Sequence, residues 1–256
     1  MENATGGVQS VARIFKLIEV LCAHPGGASL QAISAQSALA KSTTHRLLAS
    51  LVALGYAVQD ADTGHYRLTL KMFELSSGIV SGMDVMSAAK PHLDALARRT
   101  GEAVHLVIQD GVDVVYVYKA EPGVPAQRLS SYVGRRTPMY CTGVGKAILA
   151  TQSYGEAERV WQKSRIRAVT QHTITDFDAF IEQLKRVRRA GYAVDDEENE
   201  PGIRCVALSV PSISGRAEAA FSISGPSSRM TPPRLRELAD IGLAARGDIL
   251  RSLGWK

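Results

Sequence analysis

Residues 29–60, SLQAISAQSALAKSTTHRLLASLVALGYAVQD, constrain this chain more than any other stretch. Their apolar positions repeat with the period of two short helices and then switch to the period of a strand. On the second helix Thr44, Leu47, Leu48 and Leu51 share one face, while Ser42, His45, Arg46 and Ala49 share the other, with Lys41 and Thr43 on the flanks. One face suits a core. The other carries a guanidinium, an imidazole and hydroxyls, groups that bond to base edges and phosphates when a helix N-terminus enters a major groove. The first helix, with Leu30 and Ile33 inward and Ser29 as N-cap, braces the second. Gly55 ends the second helix, and residues 56–59, a turn over 60–64 and residues 65–70 predict a β-hairpin. By itself the pattern also fits an ordinary surface helix with a polar face.

Upstream, Val11, Ile14, Phe15, Ile18, Leu21 and Cys22 recur at helical spacing, with Ser10 as cap and Pro25-Gly26-Gly27 as stop. Cys22 lies on that stripe and reads as core. Three helices and a hairpin within the first 70 residues make a winged helix-turn-helix. Charge does not single the segment out: residues 1–70 hold five basic and four acidic side chains, although the whole chain is at +5. The excess lies downstream, in Arg135-Arg136 and in Lys185, Arg186, Arg188 and Arg189, the latter read as the solvated face of a helix.

A chain of 256 residues, 45% hydrophobic and 21% charged, supports two domains with separate cores. The N-terminus has neither a basic region nor an apolar core, and no run is long enough to span a bilayer, so a cytoplasmic protein without membrane contact is expected. Cys22, Cys141 and Cys205 are far apart and lack metal-ligand spacing, which points to free thiols, with no metal and no cofactor.

Residues 71–100 stay helical in pattern, weakened by Gly78 and Gly82 and restarted after a break at Pro91. Met72, Phe73, Leu75, Ile79 and Val80 need a surface to bury against, so this reads as a linker helix that contributes to dimerisation, the alternative being a helix that packs only on its own domain. Beyond it, strands are expected at 103–108, 113–119, 127–133, 205–210 and 217–224. Helices are expected near 144–151, 156–163 and 176–190, the last capped by Thr175 or Asp176 and stopped by Gly191. A closing helix starts at Thr231-Pro232-Pro233 and carries Leu235, Leu238, Ile241, Ala245 and Ile249 on one face. The fold class is mixed α/β (α+β) with a mainly antiparallel sheet, divided as 1–70 winged helix-turn-helix, 71–90 linker helix and 91–256 second domain.

Residues 138–150, PMYCTGVGKAILA, look like a phosphate loop but lack its first glycine, at Tyr140, and its hydroxyl, at Ala147. Gly143 and Gly145 either expose N–H groups to an anion where a helix begins or serve close packing. Ser222 and Ser224 alternate with Phe221 and Ile223 and either line a pocket or face water, the pattern taken alone favouring water. The acidic loop DDEENEPGIRC between Asp195 and Cys205 reads as solvated, and Cys205 as a small buried residue.

In order along the chain, QSVARIFKLIEVL, LAKSTTHRLLASLVALGY, RTPMYCTGVGKAILA, GYAVDDEENEPGIRCVALSVP and AAFSISGPSSRMT resemble the IclR family of bacterial transcriptional regulators, from about Val8 to the C-terminus. The resemblance implies a winged helix-turn-helix, a linker helix and a GAF-like effector domain, assembled as a homodimer or homotetramer on double-stranded operator DNA. It implies an effector pocket at Leu129, Gly143, Val144, Asp195, Cys205, Ser222 and Ser224, taking a small carboxylate such as glyoxylate, pyruvate, a sugar acid or an aromatic acid. Lys41, Ser42, Thr43, Thr44, His45 and Arg46 are then the DNA contacts. The family's proline before the recognition helix is Ala40 here, which leaves the start of that helix open. The expected function is a ligand-responsive regulator, a repressor of a catabolic operon. The alternative is an enzyme acting on a small carboxylic acid through Cys205 or an acidic residue; it lacks a base, since His92, His105 and His172 are scattered and no triad order is visible.

Overall fold

The computed structural model describes residues 8–81, 84–122, 131–212 and 214–254. Two compact units, Met1–Gly82 and Met83–Lys256, divide the chain. The first contains α1 (Gln9–Cys22), α2 (Leu30–Ser37), α3 (Lys41–Ala53), the hairpin β1 (Ala57–Gln59) and β2 (Tyr66–Leu68), and α4 (Lys71–Ser81). Ser29 caps α2 by accepting the Ala32 N–H at 3.2 Å. Gly55, at φ +78°, turns the chain out of α3 into the wing, where Gln59 pairs with Tyr66. The core is Leu17, Leu21, Ile33, Leu47, Leu48, Leu51 and Tyr66. Lys71 ties the start of α4 to this unit, donating to the Leu54 carbonyl at 2.9 Å and lying over the Tyr56 ring.

Three expectations fail in this unit. The helix α1 begins at Gln9 after Val8, without the Ser10 cap. Cys22 is exposed, not core, because α1 turns Leu17 and Leu21 inward and Cys22 ends it. The apolar surface of α1 is wider than the core can cover, so Val11 and Phe15 stay 50% and 58% exposed. On α4 Phe73 and Leu75 are likewise exposed; the side chains of Ile79 and Val80 lie outside those described.

The second unit is a six-stranded antiparallel sheet in the order β5-β4-β3-β8-β7-β6. Its strands are β3 (Ala103–Asp110), β4 (Asp113–Ala120), β5 (Arg136–Pro138), β6 (Ala193–Asp196), β7 (Ile203–Pro211) and β8 (Ala217–Pro226). One face packs against α5 (Asp84–Thr100) and α9 (Pro232–Ser252) around Leu93, Leu208, Phe221 and Leu238. The other packs against α6 (Gly143–Leu149), α7 (Tyr154–Lys163) and α8 (Phe177–Ala190) around Ile148, Phe180 and Ala207. Asp176 caps α8 and Gly191, at φ +78°, ends it.

Pro91 does not break the helix here: α5 runs through it. The proline withdraws one bond from the Ser87 carbonyl, and Ser87 is exposed, where water can supply the replacement. The strand expected at 127–133 is absent from its described part, 131–133, and the pairing strand is β5. β6 was not anticipated, because four residues followed by an acidic loop give little alternation to detect.

Candidate functional site

Two constellations stand out. On α3, Lys41, Ser42, His45 and Arg46 are exposed and Thr43 is half-buried. Thr44 is fully buried and gives its hydroxyl to the Ala40 carbonyl at 3.2 Å, so it supports the helix and does not face a partner. The helix begins at Lys41 with Ala40 as N-cap, and no side chain caps it. Its first N–H groups therefore have no intrahelical or capping partner.

The second constellation is assembled by strand register on the α6 face of the sheet. Asp195 lies opposite Cys205, and Cys205 opposite Ser224, across β6, β7 and β8. The adjacent row brings Ala207, Ser222 and His105 together across β7, β8 and β3. Small residues at Cys205 and Ala207 leave room for the start of α6 to settle onto these rows. A Cβ on Gly143 would meet the Cys205 Sγ at 3.0 Å and the Ala207 Cβ at 3.2 Å, so glycine there permits the close approach. Gly145 answers to packing alone, since a Cβ would stand 2.3 Å from the Met139 backbone. Thr142 caps α6 by accepting the Gly145 N–H at 3.2 Å. The N–H groups of Gly143 and Val144 remain at the helix start, facing a narrow cavity.

Gly143, Val144, Asp195, Cys205, Ser222 and Ser224 all line that cavity, with His105, Tyr116, Arg135 and Asn199. Leu129 lies outside the described residues. Ser222 and Ser224 are buried rather than water-facing, bonded to each other at 3.1 Å. The acidic loop is also less solvated than its composition suggests, for Asp195 and Glu198 are both buried. Lys146, fully buried, donates to the Val194 carbonyl at 3.0 Å and pairs with Glu198.

The electrostatics follow from burial. Asp195 is pushed up to about 6, chiefly by loss of water and against the pull of Lys146. His105 is driven down to about 3 by burial and by nearby Lys119, so its ring is neutral. It exchanges hydrogen bonds with Ser131 at 2.8 Å and Ser222 at 3.4 Å and meets the Tyr116 ring edge-on. Burial and the neighbouring Asp195 push the Cys205 thiol well above its ordinary range, which keeps it from acting as a thiolate nucleophile. Sequence reasoning passed over His105 as one of three scattered histidines. A histidine inside the apolar alternation of β3 was the available signal.

Comparisons with known proteins place the chain in a family. Residues 77–250 match the family described as bacterial transcriptional regulator IclR C-terminal, and residues 10–61 match the IclR helix-turn-helix domain. The chain is 36% identical over 226 residues to the DNA-binding transcriptional repressor YiaJ of Escherichia coli, a match that covers 88% of this chain and 80% of that protein. The crystal structure of Thermotoga maritima IclR superposes with a TM-score of 0.83 at 29% identity, covering 96% of this chain and 99% of that one. An IclR homolog from Microbacterium hydrocarbonoxydans, crystallised with 4-hydroxybenzoate, shares the fold at a TM-score of 0.79 and 23% identity, over 95% and 100% of the two chains. The relatives are regulators from a family that is not enzymatic, which removes the enzyme alternative. No described helix is long and apolar enough to cross a membrane. This chain belongs to the IclR family of DNA-binding bacterial transcriptional regulators.

Proposed function

We propose that the protein is a repressor of a catabolic operon, released or engaged by a small carboxylate bound between α6 and the sheet. The observation that carries this reading is the cavity itself. Two serine hydroxyls, two backbone N–H groups and the Arg135 guanidinium converge on one narrow space with Asp195, whose carboxyl is pushed up to about 6. These are donors for an oxyanion, and a carboxyl near its midpoint can donate or accept toward a ligand hydroxyl or keto group. A protein of the same fold holds 4-hydroxybenzoate, itself a small carboxylate.

On the DNA side, Lys41, Ser42, Thr43, His45 and Arg46 divide between phosphate and base contacts, with Arg46 assigned to a base edge. The nearly neutral charge of residues 1–70 makes one copy a weak binder. Two copies are required, and exposed Val11 and Phe15 on α1 and Phe73 and Leu75 on α4 supply apolar surface for the homodimer or homotetramer. The effector acts by favouring one of two arrangements of the paired readers.

The test is salt-dependent binding to promoter fragments of its own or a neighbouring operon, repeated with a panel of small organic acids that first raise the melting temperature. Ser222→Ala with Ser224→Ala is expected to weaken the acid's effect and leave operator binding intact. An unchanged response would remove these serines from the site.

A further inference from the structure

We propose that the effector-domain unit carries a second site, for a small oxyanion of phosphate type, where Ser209, Arg188 and Arg246 meet at the sheet edge beyond β6. β6 pairs with β7 only as far as Ala207, so Ser209, the next residue on that face, sits at an open edge. The cavity there is walled by Ala147, Ala150 and Thr151 at the end of α6, by Gly191 after α8, and by Arg246 on α9.

Ser209 is only 6% exposed and lines this cavity, yet among the described residues its hydroxyl has no hydrogen-bond partner. The hydroxyl opens onto the cavity, so an occupant can take it as a donor without displacing a protein partner. Arg188 and Arg246 enter from two helices. Arg188 donates from Nε and Nη2 to the Ala150 and Gln152 carbonyls, both at 2.7 Å, and Arg246 donates from Nη1 to the Gly191 carbonyl at 3.0 Å. Those bonds anchor the guanidiniums at two helix ends and use three of the ten N–H donors that two arginines hold. Among the rest, those on Arg188 Nη1 and on Arg246 Nε and Nη2 make no hydrogen bond among the described residues and are open to a ligand. Neither arginine pairs with a carboxylate among the described residues. Burial holds the Arg246 pKa down with no acidic neighbour to offset it. Two cations anchored at one cavity without a carboxylate partner among the described residues, Arg188 exposed and Arg246 half-buried, beside the Ser209 hydroxyl, match the donor fork that phosphate and carboxylate oxygens accept.

The position has a consequence that rests on the effector cavity proposed above. The seven residues of α6 put Gly143 and Val144 at that cavity and lead to Ala150 and Thr151 at this one, a rise of roughly 10 Å. Anion and effector would touch opposite ends of one short helix, and any coupling between them must be reciprocal.

The full-length protein, exchanged into phosphate-free chloride buffer, is titrated with inorganic phosphate and separately with glycerol 1-phosphate at constant ionic strength, following the melting temperature. A saturable rise is expected, its midpoint shifted roughly tenfold or more to higher concentration in Ser209→Ala and in Arg246→Gln, as for loss of one charge-assisted bond. The rise should survive in the Ser222→Ala, Ser224→Ala protein. Equal midpoints for the two probes support a free oxyanion, and a lower one for glycerol 1-phosphate supports a phosphorylated metabolite. An unsaturated rise, identical in the variants, would overturn the proposal. So would saturable binding abolished by the Ser222 and Ser224 substitutions instead, which would put phosphate in the effector cavity. Should Arg246→Gln fail to fold, Ser209→Ala carries the test. Loss of acid response elsewhere would sink the effector reading and leave this result standing.

Discussion

The α3 surface and the cavity under α6 place their polar groups in opposite environments. On α3, Lys41, Ser42, His45 and Arg46 stand in water, where each contributes little to folding and is held ready for a partner. In the cavity Asp195, Ser222 and Ser224 are all less than a tenth exposed, so each must find a hydrogen bond within the protein or from a ligand. The first region should therefore separate binding from stability on mutation, and the second should couple them.

The largest expected effect tests the coupled region. Gly145→Ala sets a Cβ 2.3 Å from Met139 backbone atoms, which cannot swing aside as a side chain could. A loss of about 3 kcal/mol is expected in denaturant unfolding, at the upper end for overpacking, despite alanine's helix propensity. Effector response should fall with it. A loss under about 1 kcal/mol would mean that α6 can lift from the sheet, and the contrast would weaken. Arg46→Ala tests the other region. It should cost about 1 to 3 kcal/mol in operator affinity and relax preference at one base pair, with stability changed by less than about 0.5 kcal/mol. Equal losses on operator and random DNA would make Arg46 a phosphate contact.

The same contrast decides what could be read from the sequence. The α3 faces follow from helical period over ten residues, so Leu47, Leu48 and Leu51 inward and Arg46 outward needed no tertiary information. Even Thr44 was legible as inward, and its place among the DNA contacts came from adjacency in sequence rather than from the face it occupies. The cavity is built from residues on β6, β7, β8 and the start of α6, brought together by register, and no local period relates Asp195 to Ser224. Alternation correctly put Ser222 and Ser224 on one face and could not say that α6 covers it. Family resemblance supplied those residues but not His105 or Lys146. The wide apolar surface of α1 misled for a related reason: periodicity shows which residues are apolar together, not how much of that surface this unit covers.

A smaller effect is expected from pH. Asp195 titrates near 6 in the folded protein, above its ordinary 3.8, because burial disfavours the charge. Below about pH 6 the carboxyl is neutral and tolerates a bound carboxylate; above it, the two anions repel. Affinity for the acid should fall as pH rises from 5 to 7.5, with a slope of at most about tenfold per unit, or about 1.4 kcal/mol. His105, held near 3, stays neutral across this range. Asp195→Asn should flatten the dependence in calorimetric titrations. A slope that persists in Asp195→Asn would assign the proton elsewhere and break the link between burial and ligand charge.

The smallest effects belong to the two helix starts of the DNA-reading unit. Ser29 caps α2, and Ser29→Ala should cost about 1 kcal/mol in unfolding experiments. The start of α3 is uncapped at Ala40, so Ala40→Ser should stabilise the same unit by a comparable or smaller amount. On DNA the sign should reverse. A serine hydroxyl that occupies the first N–H groups of α3 competes with a phosphate for them, and affinity should fall a few-fold, equally on operator and random DNA, in anisotropy titrations at fixed salt. Stabilisation with no loss of affinity would show that the start of α3 stands away from the backbone, and that Lys41 and Ser42 reach DNA by their side chains alone.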